Sequence, residues 1–456
     1  MKTRFIVSCL SLLMGALAAQ AADELRTALT NRVDEAKRTV GIVVGTIQAE
    51  GRQVIGHGRL AKADPRAPDG DTLFEIGSIT KVFTSLLLAD MVERGEVKLD
   101  DPVAKYLPET VKMPTRGDKQ ITLRDLSMHV SGLPRLPNNM KPADPGNPYA
   151  DYDPQKLYAY LARYELTRDP GDKYEYSNLA AGLLGHALSR RAGMSYEQVI
   201  RRRVLEPLGM TNTSVTLSER QKQNLAIGHD SGLAPVKNWD LDALAGAGAL
   251  RSTANDMLTF LAAHMELSDT PLKAAMRRMR SDSRPTETTN LRVALGWHIS
   301  TQFGMELVWH NGGTGGYHAW AGFDPAKRKG AVVLCNSALD IDDLGQHLVE
   351  PQYPLRKWSP PVVRKEITLE PKALQTFVGK YDYGQRKAIL TVTEEGGHLF
   401  AQLTGQPRFE IFPRSQTEFF WKVVDAEVKF VKDDKGKVIK AIHQQEGGRI
   451  DAPRIE

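Results

Sequence analysis

Near residue 350 this chain stops mixing helical and strand patterns and becomes almost wholly β, so it cannot be one uniform fold. Before that point Val40-Gly-Ile-Val-Val-Gly-Thr-Ile47 reads as a buried strand. Val82, Phe83, Leu86, Leu87 and Met91 form an apolar stripe at helical spacing, with Gly95 as a stop. Leu179 to Arg191 is a second helix, apolar at Leu179, Leu183, Leu184, Ala187 and Leu188. Gly316 to Phe323 and Gly330 to Cys335 read as strands joined by the turn Asp324-Pro-Ala-Lys-Arg-Lys-Gly330. Strands at both ends with helices between imply one α+β unit over residues 22–350, its sheet built from distant parts of the chain. Pro354, Pro360 and Pro361 mark residues 351–371 as a linker. Beyond it, over residues 372–456, Ile389 to Thr393, Leu399 to Leu403, Phe409 to Phe412, Glu418 to Trp421, Val428 to Val431 and Val438 to Ile442 are short strands. That spacing predicts a small barrel or sandwich.

The first residues narrow the compartment. Lys2 and Arg4 precede an apolar stretch from Phe5 to Ala18, and Ala19-Gln20-Ala21 supplies a small-residue cleavage pattern. Residues 1–21 therefore read as a cleavable signal peptide, and the expected location is the periplasm. No later run is long enough for a transmembrane helix. Cys9 leaves with the signal, so Cys335 is the one cysteine expected in the mature chain and no internal disulfide can form. The 60 basic and 55 acidic residues are interspersed, for a net charge of +5. That balance argues against nucleic acid as a partner. Pro134 to Pro154 holds six prolines in an irregular loop, read equally well as a lid or a passive excursion.

Three motifs carry chemistry. Ser78 is followed at i+3 by Lys81, which shares its face of a helix and can bring an amine to the hydroxyl. The same spacing also arises by chance in a chain this long. Tyr176-Ser177-Asn178 precedes the second helix. A phenol acting as a base needs cationic neighbours to favour the phenolate, and Lys81 is a candidate. The Asn178 amide can bind the lysine amine and a substrate carbonyl, although a structural aromatic at a helix start is the default for such a site. His310-Asn311-Gly312-Gly313-Thr314-Gly315-Gly316 runs into a strand, where glycines allow close backbone approach and exposed N–H groups can hold an oxyanion. A bare glycine-rich turn is the alternative. His129 and His186 read as structural, and no metal-ligand spacing stands out.

In this order the motifs resemble the penicillin-recognising serine hydrolases: class C β-lactamases, D-alanyl-D-alanine carboxypeptidases and endopeptidases, and related esterases. Leu99-Asp-Asp-Pro-Val-Ala-Lys-Tyr-Leu107, Ile121-Thr-Leu-Arg-Asp-Leu126, His129-Val-Ser-Gly-Leu-Pro134, Glu206-Pro-Leu-Gly-Met210 and Gly248-Ala-Leu-Arg-Ser-Thr-Ala254 match as well. The resemblance implies a β-lactamase/transpeptidase-like antiparallel sheet flanked by helices, a helical subdomain, and a lipocalin-like barrel behind. It also implies catalysis by Ser78, Lys81 and Tyr176 without a cofactor or metal, with substrate held by Asn178, His310, Asn311, Gly312 and Gly313. The implied substrates are β-lactams or D-alanyl peptides of peptidoglycan. A carboxylesterase, and a non-catalytic protein binding a ligand through its barrel, are the alternatives; the tail can also serve as an oligomerisation surface. One departure stands out: the β-lactamases of this group usually carry lysine where this chain has His310.

Overall fold

The computed structural model describes residues 23–360 and 364–456, apart from 385–387, 405, 407, 423, 425, 446 and 447. The expected signal peptide and Pro361 of the expected linker lie outside the described residues. The chain divides into two compact units between Trp358 and Ser359.

The first unit is built on an eight-stranded antiparallel sheet. Its order runs Gly51–Gly58, Gly41–Gln48, Lys329–Cys335, His318–Asp324, Leu307–Gly313, His298–Ser300, Leu291–Ala294 and Ser283–Pro285. The N-terminal strand pairs with the strand almost 290 residues later, Ile42 opposite Cys335 and Val44 opposite Val333, as the separated strand patterns predict. Both faces are covered. Ile42, Val44, Val333 and Trp320 pack with Ile341 and Leu344 at the helix Asp342–Val349, whereas Val43, Val332 and Leu334 join the main core with Leu258 and Phe260. Burial on two sides is why these strands are written as unbroken apolar runs.

The helix Thr80–Glu93 runs through the centre of that core, with every residue from Thr80 to Met91 buried. It is therefore not the one-sided stripe the sequence suggests. Ser78 precedes it in a tight 3₁₀ turn, Gly77–Ile79, where residues three apart nearly eclipse. The helix Asn178–Ala192 begins at Ser177, whose Oγ accepts from the Ala180 N–H at 2.9 Å, and ends at Gly193 in the left-handed conformation.

The second unit is a meander of eight antiparallel strands from Gly379–Gly384 to Gly448–Pro453. Lys380 N–H donates to the Glu456 carbonyl and Ile455 N–H to that of Lys380, so first and last strands nearly close a barrel. Phe377, Tyr381, Phe419 and Phe430 fill its interior with ring centroids 4.9–5.6 Å apart. Sequence patterning found six strands and missed the two terminal ones, which are largely polar or exposed. Among the described residues, no helix is long and apolar enough to cross a membrane.

Candidate active site

Ser78 and Lys81 meet as their spacing requires. Lys81 Nζ lies 2.8 Å from Ser78 Oγ and donates to the Ala247 carbonyl at 2.7 Å. Lys81 is buried, and desolvation, aided by the field of Arg135, holds its pKa well below the usual lysine value. Burial thus shifts the amine towards its uncharged form, the form a base requires.

Tyr176 arrives from the turn before Asn178. Its ring lies 4.9 Å from Lys81 Nζ, and its hydroxyl hydrogen-bonds to Ser78. Here the expected phenolate is not what the surroundings favour. Burial raises the phenol's pKa, outweighing the opposing effects of Ser78 and Arg135. Lys81, the candidate cationic neighbour, is itself shifted towards its uncharged form by burial.

Three buried imidazoles surround Tyr176. Its ring centroid is 4.5 Å from His129, 6.2 Å from His310 and 6.4 Å from His298; the last two stack on each other at 5.0 Å. His129 Nδ1 accepts the Ser177 N–H at 3.1 Å and its carbonyl accepts from Glu175, so it holds the Tyr176 turn in place. Tyr174 Oη pairs with His298 Nε2 at 3.0 Å. Tyr174 and His298 were not visible as site residues, because no local motif marks them.

Desolvation lowers the pKa of all three imidazoles, to about 4 for His298, and that of His264 elsewhere in the core to about 3. The unfolded chain takes up protons below about pH 6.5 that the folded chain refuses. Stability is thus complete above that pH and falls as pH drops towards the depressed folded values. The expected slope is on the order of 1 kcal/mol per pH unit for each such histidine. Thermal melts at pH 7.5 and 5.5 check this; a melting temperature unchanged between them contradicts it.

The strand Leu307–Gly313 forms the opposite wall. A Cβ on Gly312 would stand 2.0 Å from the Ile76 carbonyl oxygen and 2.9 Å from Ser78 N, so only glycine permits this approach. A Cβ on Gly77, at φ +48°, would stand 2.8 Å from both the N and the O of Gly313. Thr314 N–H donates to the Tyr317 carbonyl, and alternation along an antiparallel pair then turns the Gly313 N–H away from the neighbouring strand. The same alternation separates His310 from Asn311. His310 is buried beside Tyr176, whereas Asn311 Nδ2 donates to Asp342 Oδ2 at 2.6 Å. The Asn311 side chain is thus engaged with Asp342, on the opposite side of the strand from His310. His318, Asp340 and Asp342 converge within 4.8 Å there, but Asn311, Arg356 and the His318–Asp342 pair engage their polar atoms.

Asn178 also departs from expectation. Lys81 takes Ala247 as its second partner, and the Asn178 side chain hydrogen-bonds to Tyr149 from the proline-rich loop. That loop is pinned rather than free. Asn147 and Asp240 exchange two bonds of 2.8–2.9 Å, Lys237 pairs with Asp144, and the Tyr149 and Trp239 rings lie 5.2 Å apart. Beneath them Glu75, three residues before Ser78, accepts from the Trp239 N–H, from Asn238 and from the buried Arg251.

Asn178 Oδ1, His298 Nδ1, His310 Nε2 and Thr314 Oγ1 are buried without a protein partner among the described residues. Unsatisfied buried polar atoms have hydrogen-bonding capacity to spare for a polar group.

A serine hydroxyl, a desolvated amine and a phenol are thus gathered against an antiparallel strand, in a fold of the class C β-lactamase and D-alanine carboxypeptidase kind. The Beta-lactamase family profile matches residues 25–348, and the chain belongs to that family. Residues 363–449 match a domain of unknown function, DUF3471. The D-alanyl-D-alanine-carboxypeptidase/endopeptidase AmpH of Escherichia coli is 29% identical over 314 residues, covering 64% of this chain and 78% of AmpH. Penicillin-binding protein 4* of Bacillus subtilis is 26% identical over 421 residues, covering 85% of this chain and 89% of its own. In structure, a β-lactamase/D-alanine carboxypeptidase from Yersinia pestis aligns with a TM-score of 0.61 at 26% identity, over 71% of this chain and 98% of that one.

Proposed function

We propose that this protein is an exported serine hydrolase that forms an acyl-enzyme on Ser78 from D-alanyl peptides of peptidoglycan or from β-lactams. The 2.8 Å approach of Lys81 to Ser78 carries the reading. Lys81 takes the Ser78 proton as the oxygen attacks the carbonyl. Tyr176, protonated and bonded to Ser78, gives its proton to the leaving nitrogen and recovers one through Lys81. The N–H groups of Ser78 and Gly313 receive the oxyanion, and Asn178 Oδ1, free of protein partners, accepts from the substrate amide. General acid–base assistance contributes about 10²–10⁴-fold and each oxyanion donor about 10²–10³-fold. Assaying nitrocefin, D-alanyl-D-alanine peptides and p-nitrophenyl esters with the native protein and Ser78→Ala tests the reading. Hydrolysis lost in the variant supports it; hydrolysis retained, or none by either protein, does not. The aromatic packing of the barrel leaves its interior a core rather than a chamber for an apolar ligand.

Neutral His310 in place of lysine leaves less positive charge for the carboxylate of a cephalosporin. His310→Lys is therefore expected to raise cephalosporin turnover by about tenfold, the scale of one charged hydrogen bond. Unchanged steady-state kinetics would remove this explanation.

A further inference from the structure

Burial works against charge on the side chains around Ser78: it lowers the pKa of Lys81 and of the imidazoles of His129, His298 and His310, and raises that of the Tyr176 phenol. Among the described residues, a guanidinium stands beside them. Arg135, the first residue of the proline-rich loop after Pro134, holds its guanidinium carbon 5.1 Å over the Tyr176 ring. Its carbonyl accepts the N–H groups of Asn178 at 3.0 Å and Leu179 at 3.3 Å, which fixes its backbone at the end of the site where the helix begins. Its side chain is exposed, and among the described residues no carboxylate pairs with it. Neighbouring arginines differ: Arg168 is tied to Glu175 and Arg251 to Glu75. The field of Arg135 reaches Lys81, His129, Tyr149, Tyr174 and Tyr176.

Resting on the hydrolase reading above, we propose that Arg135 is the specificity-determining residue that pairs with a substrate carboxylate, so that the site prefers anionic substrates to neutral isosteres. A guanidinium presents a planar fork matched to a carboxylate, and stacking on Tyr176 orients that fork beside the reacting atoms. Its exposure leaves it free to exchange water for the ligand. This arrangement supplies, from a loop, the charge that position 310 lacks.

The test separates this proposal from the hydrolase reading by measuring binding as well as turnover. Calorimetry on Ser78→Ala, with and without Arg135→Gln, uses a D-alanyl-D-alanine peptide as its free carboxylate and as its C-terminal amide. A second pair, the p-nitrophenyl monoester of glutaric acid and p-nitrophenyl pentanoate, places the charge on the acyl side; it is bound to the same proteins and turned over by the protein with Ser78 intact. The expected result is a preference of about tenfold for the carboxylate member of at least one pair, falling to near unity in Arg135→Gln and partly kept in Arg135→Lys. Whichever pair responds tells which end of the substrate Arg135 meets. No charge preference in either pair, no binding of any probe, or an equal loss on both members overturns the proposal; an equal loss would make Arg135 a support for Tyr176 alone. Failure of the hydrolase reading shows separately, as absent turnover despite charge-selective binding.

Discussion

Lys81→Met is expected to lower the rate of Ser78 acylation by about 10⁴-fold, the upper range for loss of a positioned general base. Methionine preserves length and apolar bulk, so the buried corridor between Ser78 and Ala247 stays filled while the base disappears. Burial disfavours the charged form of the native amine, which suits it to take a proton. Without it, the Ser78 proton has only Tyr176 within reach, and burial holds that group as a phenol. Stopped-flow acylation by nitrocefin measures the effect, and circular dichroism confirms that the variant folds. A loss below tenfold in a folded variant would assign the base to another group.

The second large effect concerns stability. Arg251 and Glu75 are both almost fully buried, with side-chain exposures of 7% and 3%. Arg251 reaches Glu75 at 3.2 Å and also donates to the carbonyls of Val215 and Trp239. Arg251→Leu leaves the Glu75 carboxylate in the core with only Asn238 and the Trp239 N–H as partners. Removing one member of a buried pair costs about 3–5 kcal/mol, since the remaining charge is neither solvated nor neutralised. Urea denaturation should show that loss, and adding Glu75→Gln to Arg251→Leu should restore part of it by removing the stranded charge. A loss under 1 kcal/mol contradicts this account of the pair. Glu75 and Trp239 belong to the wall beside Ser78, so the same substitution should loosen the site.

The sequence was most legible where a local rule governs. The Ser78–Lys81 contact follows from i, i+3 spacing, and the helix Asn178–Ala192 from its Ser177 cap and Gly193 stop. The glycines at 312 and 313 signalled a close approach, and the distances to Ile76 and Ser78 give its cause. Legibility failed where side chains from remote segments share one burial environment. His129 and Arg135 from one stretch and His298 from another gather around Tyr176 and its neighbour Tyr174, and nothing local in any of these segments announces the others. The Asn311–Asp342 bond was not legible for a simpler reason: a strand sends adjacent residues to opposite faces, and a motif read as a string does not show that alternation. The rise in the phenol's pKa was likewise invisible, because it comes from the burial of Tyr176 itself.

The most direct test of the whole account is intact-protein mass spectrometry after brief mixing with benzylpenicillin, followed by peptide mapping. The account predicts a mass increase of one penicilloyl group, found on the peptide containing Ser78 and absent from Ser78→Ala. A long-lived adduct would point to a peptidase, and one captured only by rapid quenching to a lactamase. An adduct on another residue, or one that persists in Ser78→Ala, would contradict the account.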